Sequence, residues 1–269
     1  MKLVAYGKTD KGLIRSENED HFCIEGSLGF LAVADGMGGH ASGEVASKMA
    51  IDILRNYLKN EQEPLSSRMT SGIKFANQSI YDASKSQSQW NGMGTTIAAV
   101  LLNENRLSIA HVGDSRVYLI RSGNIEQLTD DHTFVFEQVK RGLLTREEAD
   151  ESGMKHILSR ALGTAPDVDV DLDELTVSDG DKFVLCSDGL SSLVSDDEIL
   201  SAVMSITAPG TACEQLVTMA NQKGGHDNIT VIVAFLCKEG WLHRLLKFLC
   251  HFSLFKNEFQ KPKKLKESP

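Results

Sequence analysis

The sequence lacks the features that mark secreted, membrane-spanning and nucleic-acid-binding proteins. Its five cysteines are odd in number and widely spaced, and no CxxC pair occurs, which excludes a disulfide framework and a zinc site. The amino terminus has no apolar signal-peptide core, and no run reaches the roughly 18 apolar residues of a spanning helix. A net charge of −9 argues against binding nucleic acid, which needs a basic surface. We therefore expect a cytoplasmic protein.

The composition provides enough apolar material for one sizeable core. Of the 269 residues, 41% are hydrophobic and 24% are charged, as in soluble globular proteins. Single domains of this length are common among α/β proteins and β-sandwiches.

The most informative stretch is GFLAVADGMGGH at residues 29–40. Its five apolar residues, 30–34, predict a short strand that is buried on both faces. Asp35 follows where this strand ends, and the glycines after it allow backbone to approach a ligand closely. Ser42 fits the N-cap of a helix over about 42–59. A carboxylate in this setting favours a metal or phosphate site, and the alternative is a tight turn with Asp35 as a local cap.

The rest of the chain predicts groups of strands and helices. We expect strands at 3–6, 21–25, 170–175, 182–186 and 229–236, and a four-stranded antiparallel meander at 95–102, 106–112, 116–120 and 125–128. We expect further helices at about 64–83, 196–204 and 211–222. The polar, helix-prone residues 132–165 interrupt the strands and predict a mobile flap over a site.

Acidic residues recur at the ends of the predicted strands. They are Glu19, Asp20, Asp35, Asp114, Asp188 and Asp227. Oxygen ligands suit Mg²⁺ or Mn²⁺ rather than zinc, and carboxylates gathered in one place repel one another unless a cation neutralises them. Turns alone also place acidic residues at strand ends, so spacing leaves both interpretations open.

Six short motifs occur in a fixed order along the chain. They are RSENED at 15–20, DGMGGH at 35–40, GTT at 94–96, GDSR at 113–116, SDG at 187–189 and HDN at 226–228. Between about residues 4 and 236 the sequence resembles the PPM family, the metal-dependent serine/threonine protein phosphatases also called protein phosphatase type 2C, and above all its compact bacterial members. Each motif alone is weak, but six in register are specific.

The resemblance implies an α+β fold. This is a four-layer αββα sandwich with two central antiparallel β-sheets, a pair of helices on each outer side and the flap insertion near 132–165. We expect a phosphatase domain over 1–238 and a C-terminal extension over 239–269.

The resemblance also implies the metal ligands, namely Glu19, Asp35, Gly36, Asp114, Asp188 and Asp227. Asp35 would bridge two Mn²⁺ or Mg²⁺ ions, and the Gly36 carbonyl would be a further ligand. Asp188 and Asp227 would complete the first ion, and Glu19 would hold the second through water. Asp114, together with Asp188, matches a third, weaker position of bacterial relatives.

The implied catalytic residues are Arg15, Asp20 and Asp35. Arg15 would bind the substrate phosphate, for which its planar, always-charged fork is suited, and Asp20 would orient the attacking water. Some relatives carry a histidine after Asp-Gly as the acid for the leaving alkoxide. This chain has Met37 there, and we do not assign the role to the nearby His40, so the general acid stays open.

The implied reaction is hydrolysis of phosphoserine and phosphothreonine in proteins by a water between two metal ions, without a phospho-enzyme. We expect a monomer whose partners are phosphorylated proteins and an opposing serine/threonine kinase. The alternatives are a hydrolase of small phosphate esters and an inactive PPM-like binding module. The complete set of carboxylates disfavours the second alternative.

The residues beyond the family resemblance form a basic amphipathic segment. From 240 to 269 there are seven Lys and Arg against two acidic residues, and apolar residues recur at helical spacing between Trp241 and Phe252. This pattern favours a helix on an anionic membrane surface or on a protein partner. The alternative is an extra helix packed on the catalytic body. The first interpretation predicts a peripheral location at the inner face of the membrane.

Overall fold

The structure, a computed structural model, describes residues 1–38, 42–59, 65–145, 148–149, 152–154 and 156–238. Its strands are β1 (Lys2–Asp10), β2 (His21–Glu25), β3 (Phe30–Ala34), β4 (Gly36–Met37), β5 (Gly94–Thr95), β6 (Ile97–Asn103), β7 (Arg106–Val112), β8 (Arg116–Arg121), β9 (Asn124–Gln127), β10 (Asp171–Thr176), β11 (Lys182–Cys186) and β12 (Ile229–Cys237). Two antiparallel sheets of five strands result: a first sheet in the order β1-β12-β11-β8-β9 and a second in the order β10-β7-β6-β3-β2. Strands β4 and β5 form a small separate pair.

Helices cover the outer faces of both sheets. They are α1 (Ser42–Leu58), α2 (Leu65–Ser86), α3 (Phe134–Lys140), α4 (Asp188–Ser191), α5 (Asp196–Met204) and α6 (Pro209–Gln222), with a 3-10 turn at Ser88–Trp90. One core lies between α1, α2 and the second sheet, another between α5, α6 and the first sheet, and a third between the two sheets. The expected αββα sandwich is confirmed.

Strand β3 shows why an unbroken apolar run becomes a strand at this place. Phe30, Ala32 and Ala34 face the core under α1 and α2, whereas Leu31 and Val33 face the other sheet. Successive side chains of a strand point to opposite faces, so a strand with cores on both sides needs no polar position.

One sequence prediction about the sheets is wrong. The four runs between 95 and 128 are two hairpins in different sheets, because β6 and β7 belong to the second sheet and β8 and β9 to the first. The chain passes from one sheet to the other at Gly113–Ser115. Gly113 has φ 104°, and a side chain there would collide with Thr96.

The flap predicted near 132–165 leaves and rejoins the body at paired backbone segments. Its base is closed by the bridge Thr133–Leu158 and tied to the body by the bridge Thr95–Leu162. Helix α3 lies in its first half, and part of the helix-prone stretch 145–151 lies outside the described residues.

The C-terminal extension 239–269 and His40 lie outside the described residues. Within the part of the chain that the structure describes, no helix combines the length and the apolarity that crossing a bilayer requires.

Candidate active site

The predicted acidic residues gather at one edge of the sandwich, where the ends of both sheets meet. Glu19 and Asp20 precede β2 and Asp35 follows β3, so these three belong to the second sheet. Asp188 follows β11 and Asp227 precedes β12, so these two belong to the first sheet. The sixth, Asp114, stands at the crossing between the sheets. Each sheet therefore supplies part of one carboxylate cluster.

Burial and mutual repulsion raise the pKa values of three of these carboxyl groups. Burial raises the pKa of Asp35 well above its usual range, and the charges of Asp20, Asp188 and Asp114 raise it further. Burial, with Asp188 and Asp227, raises the pKa of Asp20 to about 7. Burial and Asp188 raise the pKa of Asp114 to about 8. Without a neutralising partner, the charged forms of these groups are disfavoured.

Two threonines fix the backbone of Asp35. Its N–H donates to Thr96 Oγ1 at 2.9 Å, and its carbonyl accepts from Thr96 N at 2.9 Å and from Thr95 Oγ1 at 2.8 Å. The Thr96 hydroxyl also lies 2.7 Å from Ser115 Oγ, beside Asp114. The GTT motif, to which the sequence assigned no role, therefore joins the positions of two site carboxylates.

A buried asparagine joins the first and last motifs. The Asn228 side chain, 5% exposed, accepts from Glu19 N at 2.8 Å and donates to the carbonyls of Lys11 at 3.0 Å and Glu17 at 2.9 Å. It holds the loop before β2 on the loop before β12. Sequence reasoning missed its role, although it lies within the HDN motif.

Ser187 holds the carboxylate of Asp20. Its hydroxyl donates to Asp20 Oδ2 at 2.7 Å and accepts from Thr230 N at 3.0 Å. The other carboxylate oxygen, Oδ1, is buried and has no hydrogen-bond partner in the described part of the chain. A buried oxygen of this kind is costly unless something else satisfies it.

The N-terminus of α1 packs against Glu19. The Glu19 Oε1 atom accepts from Gly43 N at 3.2 Å, and the Ser47 hydroxyl donates to the Glu19 carbonyl at 2.5 Å. A Cβ atom at Gly43 would lie 2.7 Å from Glu19 Cδ and 2.8 Å from Gly36 C. The glycines of this region therefore serve the close approach that their spacing predicts.

Arg15 lies on the rim of the cluster. Its Nη2 is 2.7 Å from Asp227 Oδ2, and its side chain is 52% exposed. A guanidinium has five N–H donors, so this contact leaves further donors for an anion in the cleft.

A cavity of about 810 Å³ opens beside Asp114 and Asp188. The flap lines it with Phe136, Val139 and His156, and His156 Nδ1 lies 3.4 Å from Asp188 Oδ2. The cavity is therefore open to two of the six carboxylates.

Comparison with known proteins agrees with the geometry. The family described as "Protein phosphatase 2C" matches residues 15–242. The chain is 40% identical over 230 residues to the serine/threonine protein phosphatase PstP of Mycobacterium tuberculosis, covering 84% of this chain and 44% of that protein. It is 37% identical over 234 residues to the serine/threonine phosphatase stp of Listeria welshimeri, covering 84% of this chain and 93% of that protein. The chain therefore spans less than half of the mycobacterial relative and nearly all of the listerial one.

Solved structures share the fold. The crystal structure of the Mycobacterium tuberculosis phosphatase PstP/Ppp superposes with a TM-score of 0.83 at 38% identity, covering 88% of this chain and all of that one. The catalytic domain of PstP "in complex with 2 Manganese ions" gives a TM-score of 0.80 at 38% identity, covering 88% of this chain and 99% of that one.

Proposed function

Because this chain belongs to the protein phosphatase 2C family, we propose that it hydrolyses phosphoserine and phosphothreonine in phosphorylated proteins with Mn²⁺ or Mg²⁺ as cofactor. The observation that carries the proposal is the convergence of six acidic residues from both sheets, two of which, Asp114 and Asp188, line an open cavity. The match over residues 15–242 supports it.

The residues present fit divalent cations. The buried Oδ1 of Asp20, which has no hydrogen-bond partner among the described residues, and the raised pKa values of Asp20, Asp35 and Asp114 support a site whose carboxylates would be stabilised by a bound cation. All donors are oxygen atoms, which Mg²⁺ and Mn²⁺ prefer. The two manganese ions of the mycobacterial PstP structure support two positions in this chain as well.

We assign the ligands as the family resemblance implies. Asp35 would serve both main ions and the Gly36 carbonyl would be a further ligand. Asp188 and Asp227 would complete the first ion, and Glu19 would hold the second through water. A third, weaker position uses Asp114 with Asp188, for which the burial of Asp114 and its electrostatic coupling to Asp188 give support.

Bound divalent cations lower the pKa of water and stabilise the charge that develops on the phosphoryl oxygens. The residues of the chain position the reacting groups. Asp20, fixed by Ser187, orients the attacking water, and the threonine pair keeps Asp35 in place. Arg15 binds the phosphoryl oxygens with the donors that Asp227 does not use. Met37, on the short strand β4, offers no proton to the leaving alkoxide, and the general acid stays unassigned.

The decisive experiment is hydrolysis of a phosphothreonine peptide with Mn²⁺ and with a chelator in its place. We expect turnover only with the metal, and none from Asp35→Ala or Asp188→Ala, which should remain folded because each loses charge repulsion together with metal binding. Substantial activity in either variant contradicts the two-metal assignment.

Two matched substrates separate the alternatives. A sugar phosphate that is turned over as efficiently as the phosphopeptide favours a hydrolase of small esters. Absence of turnover of both, with Mn²⁺ present and the protein folded, favours a binding module.

Finer statements about partners and place belong to the same proposal. We propose that residues 1–238 form the catalytic domain of a cytoplasmic monomer that opposes a serine/threonine kinase. The extension 239–269, with its basic amphipathic sequence, would dock on an anionic lipid surface at the inner face of the membrane.

A further inference from the structure

Outside the carboxylate site, two buried histidines stack at the base of the flap. The rings of His111, at the end of β7, and His132 have centroids 4.6 Å apart and planes 23° apart. His132 is 2% exposed, and its Nε2 lies 3.3 Å from Asp171 Oδ2. Asp171 is bound in turn by Arg160 Nη1 at 2.6 Å. We call His111, His132, Asp171 and Arg160 the flap-base cluster.

A metal ion does not explain the flap-base cluster, although one ligand atom from each of His111, His132 and Asp171 lies within 4.8 Å of the others. The lone pairs of an imidazole lie in its ring plane, and stacked rings direct them along nearly parallel planes. No single ion then reaches both rings at the roughly 2.0–2.1 Å of a metal–nitrogen bond. The guanidinium on Asp171 adds a positive charge where a cation would sit.

The hydrogen bonds assign the tautomer of each ring. The Nδ1 atom of His132 accepts from Gly113 N at 3.1 Å, so its proton is on Nε2, facing Asp171. The Nε2 atom of His111 lies 2.9 Å from the Asp130 carbonyl, which only accepts, so that nitrogen carries the proton. Burial lowers the pKa of both histidines, that of His132 to about 4, and both rings are neutral at pH 7.

His132 joins three parts of the molecule at once. Its backbone N–H donates to the Gly113 carbonyl at 3.0 Å and its own carbonyl accepts from Ser159 N at 2.8 Å. With the side-chain bond to Gly113 N, both polar backbone groups of Gly113 are bound by one residue. Gly113 directly precedes Asp114, and Ser159 lies on the returning arm of the flap. The neighbouring Asp131 is held by Arg116 at 2.6 Å, which fixes the entering arm on β8.

We infer that His132 is a positioning residue that sets Asp114 and both arms of the flap relative to the main carboxylate cluster. The acceptor at Nδ1 carries this role, because it is the group that binds the N–H beside Asp114. The inference rests on the proposed function to the extent that Asp114 serves the weak third metal position. Outer residues that orient a ligand typically change metal affinity by about 10- to 100-fold when they are lost.

Three substitutions of His132 distinguish the roles of its two ring nitrogens. His132→Asn keeps an oxygen acceptor at the position of Nδ1, His132→Gln moves its amide towards Asp171, and His132→Leu removes both polar atoms. Ile199→Ala, in the core under α5, is the control for a general loss of stability. Each full-length variant is titrated with Mn²⁺ by calorimetry and assayed with a phosphothreonine peptide.

For the Gln and Leu variants we expect the weakest Mn²⁺ binding step to lose roughly tenfold in affinity, while the tighter steps stay unchanged. In the same two variants we expect the KM for the phosphopeptide to rise. The Asn variant should keep both values near those of the parent, and Ile199→Ala should lower the melting temperature alone.

Several results overturn the inference. They are an unchanged weak binding step in the Gln variant, an Asn variant that behaves like the Gln variant, and an equal loss in Ile199→Ala. If His132→Leu does not fold, the Asn and Gln pair still decides. A parent protein that binds Mn²⁺ without phosphatase activity contradicts the proposed function alone, because the titration still tests the positioning role. A parent that binds no Mn²⁺ contradicts both.

Discussion

At the residue scale, the carboxylates that define the site oppose folding of the metal-free chain. Asp20, Asp35 and Asp114 all have pKa values above those of exposed carboxyl groups, which means that the folded state disfavours their charged forms. The Thr95, Thr96 and Ser187 hydrogen bonds hold two of these groups in place against that repulsion. Function and stability therefore make opposite demands on the same side chains.

Asp114→Asn should stabilise the metal-free protein in a pH-dependent manner. The pKa of Asp114 is about 8 in the folded state, against 3.8 for an exposed aspartate. Below pH 3.8 the group is protonated in both the folded and the unfolded state and does not change the free energy of unfolding. As the pH rises, the unfolded state loses this proton more readily than the folded state, so the folded state is destabilised, and this destabilisation is complete above about pH 8. The variant should unfold at a higher temperature than the parent at pH 8.5 in chelator, and the difference should vanish towards pH 4. A variant that is less stable than the parent at pH 8.5 contradicts this assignment.

Arg15→Ala should lower kcat/KM for a phosphopeptide by roughly a hundredfold, because a donor to the charged phosphoryl oxygens is lost. Arg15→Lys should restore only part of it, since an ammonium group lacks the planar fork. Steady-state kinetics at saturating Mn²⁺ measures both. Arg106→Ala is the matched control, since Arg106 is a comparably exposed arginine whose ion-pair partner is Glu174. Equal activity of the Lys variant and the parent would show that Arg15 is a surface charge.

At the scale of the elements, a glycine in α1 allows the helix to pack against the loop that carries Glu19. Gly43, in its first turn, donates to Glu19 and leaves no room for a methyl group. The helix N-terminus also places its partial positive charge near that carboxylate. The position of α1 and the position of Glu19 are thus set by the same contact.

Gly43→Ala should weaken Mn²⁺ binding and lower the free energy of unfolding by roughly 1–3 kcal/mol, because the new Cβ would collide with Glu19 and Gly36. Gly26→Ala is the control, since a Cβ there meets no atom within 4 Å. Calorimetric Mn²⁺ titration and chemical unfolding measure the two effects. If the two variants behave alike, α1 has room that the structure does not show.

Local sequence patterns predicted the bounds of the strands and helices better than they predicted which strands pair. The bounds of β2, β3, β11 and α5 follow from the apolar runs and from the Ser195 capping box, which are local properties of the chain. Strand β1 extends to Asp10, beyond its apolar residues, because it pairs with β12 along its whole length. The predicted meander was wrong because pairing again involves distant parts of the chain. Alternating apolar and polar residues indicate the two faces of a strand, but the sheet to which a strand belongs depends on residues far away in sequence.

The sequence predicted the acidic residues of the candidate site better than the residues that hold them in place. The acidic residues stand at strand ends, a signal that the sequence carries openly. The bond from Asp35 to Thr96 spans 61 positions and that from Asn228 to Glu19 spans 209. Only the fold brings such pairs together. Their membership in the GTT and HDN motifs was the one signal in the sequence that could have identified them.

At the scale of the whole molecule, the proposed catalytic residues and the proposed docking segment are separate in sequence. The described body contains all of the proposed ligand and catalytic residues, and the basic segment begins after it. Under the proposed docking role, the extension decides where in the cell the phosphatase acts.

Removal of residues 239–269 should leave phosphopeptide turnover unchanged and abolish co-sedimentation with vesicles that contain anionic lipid, because the basic face of the extension supplies the attraction. Neutral vesicles are the control. Equal sedimentation of the full chain and the 1–238 truncation contradicts lipid docking, and loss of soluble folding upon truncation favours a packed helix.

The pairing of the first long strand with the last has a consequence for the timing of synthesis. Strand β1 pairs along nine positions with β12, from Lys2 with Cys237 to Asp10 with Ile229. A growing polypeptide folds from its start as it leaves the ribosome, but this sheet has no partner for β1 until residue 237 has emerged. Asp227 arrives with that last strand. Under the proposed function, an incomplete translation product that lacks β12 and Asp227 should therefore be inactive.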